Sequence, residues 1–241
     1  MTFTDRSERS DASLRRECRI LGVFLLLTIL TGLFAQGFVS EKLVTGDATT
    51  TAANILEHRG LWRLGYAFFV VEMASQVAGT ALLYDLLAPA GRNASLIAAW
   101  ISLVGITIKM FARVFFIAPL VVLGGSANFS AFGANELRTL SLLFLQLNDL
   151  GASLALIFFG FAAFVRGVLM IRSTFVPRVV GALGMLGGLL WTTFLYPPLA
   201  NTLFGLTLAV GLIGSLVLIV WLLVKGVDGP RWRETARHAN A

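Results

Sequence analysis

The sequence predicts an all-α polytopic membrane protein: six transmembrane helices plus a short interfacial helix in the first outer loop. Three observations carry this. Of the 241 residues, 57% are hydrophobic and only 13% charged, against about 25% charged in ordinary soluble domains. So little polar surface cannot cover a globule in water, whereas a bilayer accepts it, provided that backbone groups pair within helices or closed barrels. The apolar runs are also long and continuous rather than alternating, which selects helices over barrel strands. Finally, the cations behind the net charge of +6 sit mostly in loops and tails, as membrane topology requires. That placement argues against nucleic acid as a partner and for the lipid bilayer. Cys18 is the sole cysteine, and His58 and His238 are the only histidines. An intramolecular disulfide and a Cys- or His-rich metal site are therefore excluded, and no cofactor is indicated.

Residues 1–19 read as a flexible basic tail, with Arg6, Arg9, Arg15, Arg16 and Arg19 approaching the membrane. A solvated tail is the plain reading, and a lipid-headgroup or partner site the alternative. The first span covers about 20–39; it is longer than a signal-peptide core and no A-x-A site follows it, so it reads as uncleaved. Thr28, Thr31 and Gln36 share one of its faces. In the connection 40–60, Asp47 is positioned as N-cap of a short helix, ATTTAANILEH. Ile55, Leu61 and Trp62 would hold that helix at the interface, either closing one end of the bundle or forming a lid.

The second span, about 61–87, carries Glu72 and Gln76 one turn apart, with Asp85 near its end; Pro89 and Gly91-Arg92-Asn93 then break the chain. The third span, about 95–123, carries Lys109 and Arg113 one turn apart, and Pro119 loosens its last turns. The fourth, about 136–165, is polar in its middle: Gln146, Asn148, Asp149 and Ser153, of which Gln146, Asp149 and Ser153 share a face. Residues 166–178 read as a basic loop, with Pro177 opening the next helix. The fifth span, about 179–196, presents Gly181, Gly184, Gly187 and Gly188, including a G-x-x-x-G match at Gly184 and Gly188. Pro197-Pro198 turn the chain into a sixth, nearly all-apolar span, about 201–224. Residues 225–241 read as a basic tail without structure. Asn93 and Asn128 begin weak N-x-S matches.

Six spans put both termini on one side. Thirteen Lys and Arg residues fall on that side and four (Lys42, Arg59, Arg63, Arg138) on the other, which predicts cytoplasmic termini. Lys109 and Arg113 remain inside the membrane. From the helix rise, Glu72 lies about 16 Å deep, Asp149 about 18 Å, and Arg113 and Lys109 about 14 and 20 Å, all from the outer side. Two acids and two cations thus share one layer, with Gln76, Gln146 and Asn148 beside them.

Intramembrane ionisable groups suggest function by default, so the first expectation is a small-solute or ion permease with this layer as its ligand or ion site. The alternative is a non-transporting regulatory or assembly subunit whose buried charges fix helix pairing. A water-filled cavity joining Glu72, Lys109, Arg113 and Asp149 favours the first, and a dry, paired cluster the second. Catalysis finds little support: H-E-x-x-H, G-x-S-x-G, a Walker loop and a Cys–His pair are all missing from the sequence.

Four segments resemble a bacterial membrane family, domain of unknown function 4386: Gly46-Asp47-Ala48, Thr51-Ala52-Ala53-Asn54-Ile55, Leu61-Trp62-Arg63-Leu64-Gly65, and Leu82-Leu83-Tyr84-Asp85-Leu86-Leu87-Ala88-Pro89. The resemblance covers roughly Arg19 to Val224. It implies a multi-span inner-membrane protein and supplies no activity, cofactor or catalytic residue. It draws attention to Asp47, Asn54 and Arg63, which either line an entry to the charged layer or cap the loop helix.

Overall fold

The computed structural model describes residues 9–124, 129 and 131–238; Arg6 and Asn128 lie outside the described residues. Every element among them is helical. Helix α1 (Asp11–Gly32) continues through a π-helical stretch, Leu33–Ser40, into a last turn, Glu41–Leu43. Then follow α2 (Ala48–Glu57), α3 (Arg59–Leu87), α4 (Arg92–Val122), α5 (Ala134–Arg172), α6 (Arg178–Trp191), α7 (Pro197–Val224) and α8 (Gly229–His238). Among the described residues six helices, α1 with its extension and α3 to α7, are long and apolar enough to cross a membrane. Their outward faces are apolar: Phe111 is 66% exposed and Leu150 67%. A row of such side chains is costly in water and comfortable against lipid.

The chain forms two compact units. One comprises residues 1–26, 75–105 and 155–241, the other 27–74 and 106–154. In the first unit, Leu14, Cys18 and Leu21 of α1 join Leu87, Leu222 and Trp232 in one buried cluster. Here the structure corrects the reading of both tails. Helix α1 begins at Asp11 because Leu14, Cys18 and Leu21 form a helical stripe beneath the exposed Arg15, Arg16 and Arg19. At the other end, Trp232 and Ala236 are one turn apart and buried, and the Trp232 indole donates to the Leu86 carbonyl at 2.9 Å. Two apolar residues in a charged decapeptide are too faint a pattern to read as a helix, yet one anchored tryptophan is enough to hold it. Arg9 ties the start of the chain to Glu17 (2.6 Å) and Asp85 (3.2 Å), while Arg233 bonds Asp11 at 2.6 Å.

The expected basic loop 166–178 is mostly helix, since α5 continues to Arg172. Arg166 therefore lies inside α5, where it donates to the Ser102 hydroxyl of α4. Pro177 does stand at the N-terminus of α6, and α4 runs past Pro119 to Val122.

The glycines of α6 serve packing within the first unit, but not as the G-x-x-x-G match suggests. Around Gly184 there is open space, with nothing within 4 Å of an added Cβ. The contact is made instead by Gly181 and Gly188 with Gly167 and Gly160 of α5. A Cβ on Gly188 would meet the Phe164 nitrogen at 2.5 Å, and one on Gly167 the Met185 nitrogen at 2.5 Å. These are backbone atoms, so relief requires the two helices to separate. Gly188→Ala is expected to lower the unfolding temperature of the detergent-solubilised chain, whereas Gly184→Ala leaves it unchanged or raises it.

Candidate functional site

The intramembrane charges gather in the second unit, where small residues let α1, α3, α4 and α5 approach. Gly32 of α1 sits against the Glu72 carboxylate, with a Cβ there only 3.1 Å from Oε1. Gly65 of α3 receives Val39 of the π-helical stretch, and Gly151 of α5 receives Ala112 of α4, an added Cβ coming within 2.9 and 2.6 Å respectively. The last approach places Asn148, one turn before Gly151, beside Arg113, the residue after Ala112.

Glu72 and Lys109 form a direct ion pair, Nζ to Oε1 2.5 Å, with side chains 5% and 13% exposed. Arg113 follows a different route. Its Nη1 donates to Asn148 Oδ1 at 2.8 Å, and Asn148 Nδ2 in turn donates to Asp149 Oδ1 at 2.9 Å. An amide thus relays between the guanidinium and the carboxylate. The Arg113 guanidinium also lies 3.5 Å from the centre of the Phe69 ring, a cation–π contact strengthened by burial. Phe69 packs edge-on against Phe116, whose ring stacks at 3.9 Å on Trp62.

The structure thus brings Glu72, Lys109, Arg113, Asn148 and Asp149 together in the second unit as two groups, the Glu72–Lys109 pair and the Arg113–Asn148–Asp149 chain. Gln146 is not among them; it is exposed on the outer face of α5, as is Asp149 apart from its bond to Asn148. The shared face of Gln146 and Asp149 is real but points outward, and Asn148 is the buried member at 1% exposure. Gln76, one turn beyond Glu72 on α3, belongs to the first unit. Thr31 of the first span is buried and donates to the Leu27 carbonyl of its own helix at 2.6 Å. Sequence reasoning missed two contributors, Phe69 and Gly32, because an aromatic and a glycine in a membrane helix carry no distinguishing signal.

Asp47 and Asn54 bond the backbone on either side of the turn before α2. The Asp47 carboxylate accepts from the backbone N–H and the hydroxyl of Thr50, both at 2.7 Å, and so caps α2. Asn54 Nδ2 donates to the Leu43 carbonyl at 3.2 Å, and Thr45 and Thr51 bond each other across the turn. Arg63 is exposed. Trp62, expected at the interface, is instead fully buried and donates to the Phe116 carbonyl at 3.0 Å.

The Thr50 backbone bond, then the Thr50 hydroxyl, hold the Asp47 carboxyl below the usual carboxylate range. A depressed folded pKa means that the capping contribution is complete above the ordinary carboxylate pKa of about 4 and is lost as pH falls through the lower folded value. Protection factors of the α2 amides, which correct for the intrinsic pH dependence of exchange, should therefore be highest near neutrality and fall in acid. Asp47→Ala should lower the protection near neutrality and have little effect in acid, and Asp47→Asn should remove the pH dependence of the protection.

The match to known families follows the same span of chain. The model of the family called domain of unknown function 4386 covers residues 20–226. The chain belongs to this family. No curated protein and no solved structure matches it. The family match takes in the first candidate span from residue 20, the other five whole and every residue of the charged set, and it stops before α8. Among the described residues of this family member, no group of three or more His, Cys, Asp or Glu is placed to hold a metal ion.

Proposed function

We propose that the chain is a non-transporting membrane component, a regulatory or assembly subunit, whose intramembrane charges are structural. The observation that supports this best is that the buried members of the charged set are engaged with one another. Glu72 and Lys109 are engaged with each other, Arg113 lies between Phe69 and Asn148, and Glu72, Arg113 and Asn148 are each at most 4% exposed. Charges paired in this way specify which helices meet and in what register. The exposed Asp149 and Gln146 on α5 add support. A carboxylate facing lipid near the bilayer centre costs roughly 2.5 kcal/mol or more on insertion scales, a cost that a covering helix of a larger assembly relieves. The cation count supports a bacterial inner-membrane protein with both termini in the cytoplasm.

The permease reading retains one observation. The charged set adjoins a π-helical stretch that begins at Leu33, next to the Gly32–Glu72 contact, and such irregularities often accompany functional sites. Proteoliposomes loaded with a pH-sensitive dye separate the two readings, with an osmotic-swelling assay alongside for small solutes. The structural reading expects no flux above empty vesicles for wild type, Glu72→Gln or Asp149→Asn, together with a lowered unfolding temperature for Glu72→Gln. Flux by wild type that is abolished in a correctly folded Glu72→Gln variant would establish the permease instead.

A further inference from the structure

The first unit carries a cluster of cations that the charged set of the second unit does not involve. Helices α1 and α7 meet where Gly226 ends α7 with φ +68°, accepting Cys18 against its bare Cα, and where Gly22 receives Leu223. The left-handed glycine lets its N–H and that of Lys225 both reach the Trp221 carbonyl at 2.9 Å. This close packing brings Lys225 beside the N-terminal turns of α1. A small crevice there is lined by Arg15, Arg19 and residues 222–226.

Arg15 also borders two larger spaces. One, about 740 Å³, is a groove running along α1 from Asp11 to Phe24, past Arg16 and Arg19. The other, about 470 Å³, lies between α1, Lys225 and the turn at residues 174–177.

The acids nearby are already engaged. Asp11 bonds Arg233 at 2.6 Å, Glu17 bonds Arg9 at 2.6 Å, and Asp228 lies 3.5 Å from Arg231. Among the described residues no acidic side chain forms an ion pair with Arg15, Arg16, Arg19 or Lys225, and all four are exposed. Directly below the arginines on α1, Ile20 and Val23 are exposed apolar residues, 39% and 47%. Cations above an open apolar stripe match the two ends of one molecule, a phosphate headgroup and an acyl chain.

We propose that Arg15, Arg16, Arg19 and Lys225 form a binding site for the phosphate headgroup of an anionic phospholipid, whose acyl chain lies along Ile20 and Val23. The guanidinium groups offer forked donors to phosphate oxygens, and Lys225 adds a point charge from the neighbouring helix. The continuity of cation and apolar stripe favours a lipid over a soluble phosphate, which has no use for Ile20 and Val23. The site is independent of whether the chain transports anything.

The test is lipid retention by the full chain in mixed nanodiscs, read by native mass spectrometry with phosphatidylglycerol and phosphatidylcholine of identical acyl chains. Anionic lipid is expected to be retained preferentially. Each cation removed should lower that preference roughly fivefold, so that Arg15→Gln/Arg16→Gln/Arg19→Gln abolishes it. Arg59→Gln/Arg63→Gln, at exposed arginines elsewhere, should leave it intact. Should the triple variant lose helicity, Arg15→Gln with Lys225→Gln replaces it. Equal retention of the two lipids overturns the proposal, as does a preference that survives removal of these cations. Full displacement of the lipid by millimolar inorganic phosphate also overturns it, by assigning the cations to a soluble anion.

Discussion

Lys109→Met is expected to destabilise the folded chain by about 3–5 kcal/mol, because it removes the ammonium paired with the buried Glu72 carboxylate. Glu72 is 4% exposed and lies against Gly32, where there is no room for a new side chain to cover it. The loss comes mainly from the unpaired charge rather than from the missing attraction. Glu72→Gln should therefore also destabilise, since it leaves the ammonium without its counter-charge. The double variant Glu72→Leu/Lys109→Met should recover most of the stability lost by either single change, because neither charge then remains buried. Equilibrium unfolding in mixed detergent measures all three. A double variant as unstable as the sum of the singles contradicts the paired-charge account.

Trp62→Ala carries the second large effect, about 3–5 kcal/mol. Trp62 is fully buried, stacks on Phe116 at 3.9 Å and donates to the Phe116 carbonyl at 3.0 Å. Its removal opens a cavity against the ring that supports Phe69, and Phe69 lies under the Arg113 guanidinium at 3.5 Å. Trp62→Phe keeps the stacking and loses the hydrogen bond, so its cost is about 0.5–1.5 kcal/mol. The difference between the two variants separates packing from hydrogen bonding at the wall of the charged set. Unfolding midpoints that are equal for both variants would show that the stacking contributes little.

The spans are legible in the sequence because a soluble fold rarely holds a continuous apolar run of about twenty residues. The pairing of Glu72 with Lys109 is legible through depth, since both lie near the middle of consecutive antiparallel helices. The choice between Asn148 and Asp149 is not. Helix α5 is apolar almost all round, so spacing alone cannot say which face turns inward. That choice is made by the contact of Gly151 with Ala112 on α4, a feature of two helices rather than one. The same holds for Gly181 and Gly188, whose partners Gly167 and Gly160 lie on α5, outside any motif read along α6. Helix α8 leaves little trace in the sequence because a single buried indole fixes it. Asp47 is legible because an N-cap is local: its bonds reach only to Thr50, three residues on.

The chain contains three lysines, Lys42, Lys109 and Lys225, and they provide the most direct test of a buried, structural charged set. A membrane-impermeant amine reagent is applied to sealed vesicles, then to opened vesicles, then to the unfolded chain, and each lysine is followed by peptide mass spectrometry. Lys42 and Lys225 are exposed and should be modified from opposite sides of the bilayer. Lys109 should react only after unfolding, since its ammonium is held by Glu72 at 2.5 Å. Modification of Lys109 in folded protein, at a rate comparable to Lys42, would mean that water reaches the charged set and would contradict its structural role.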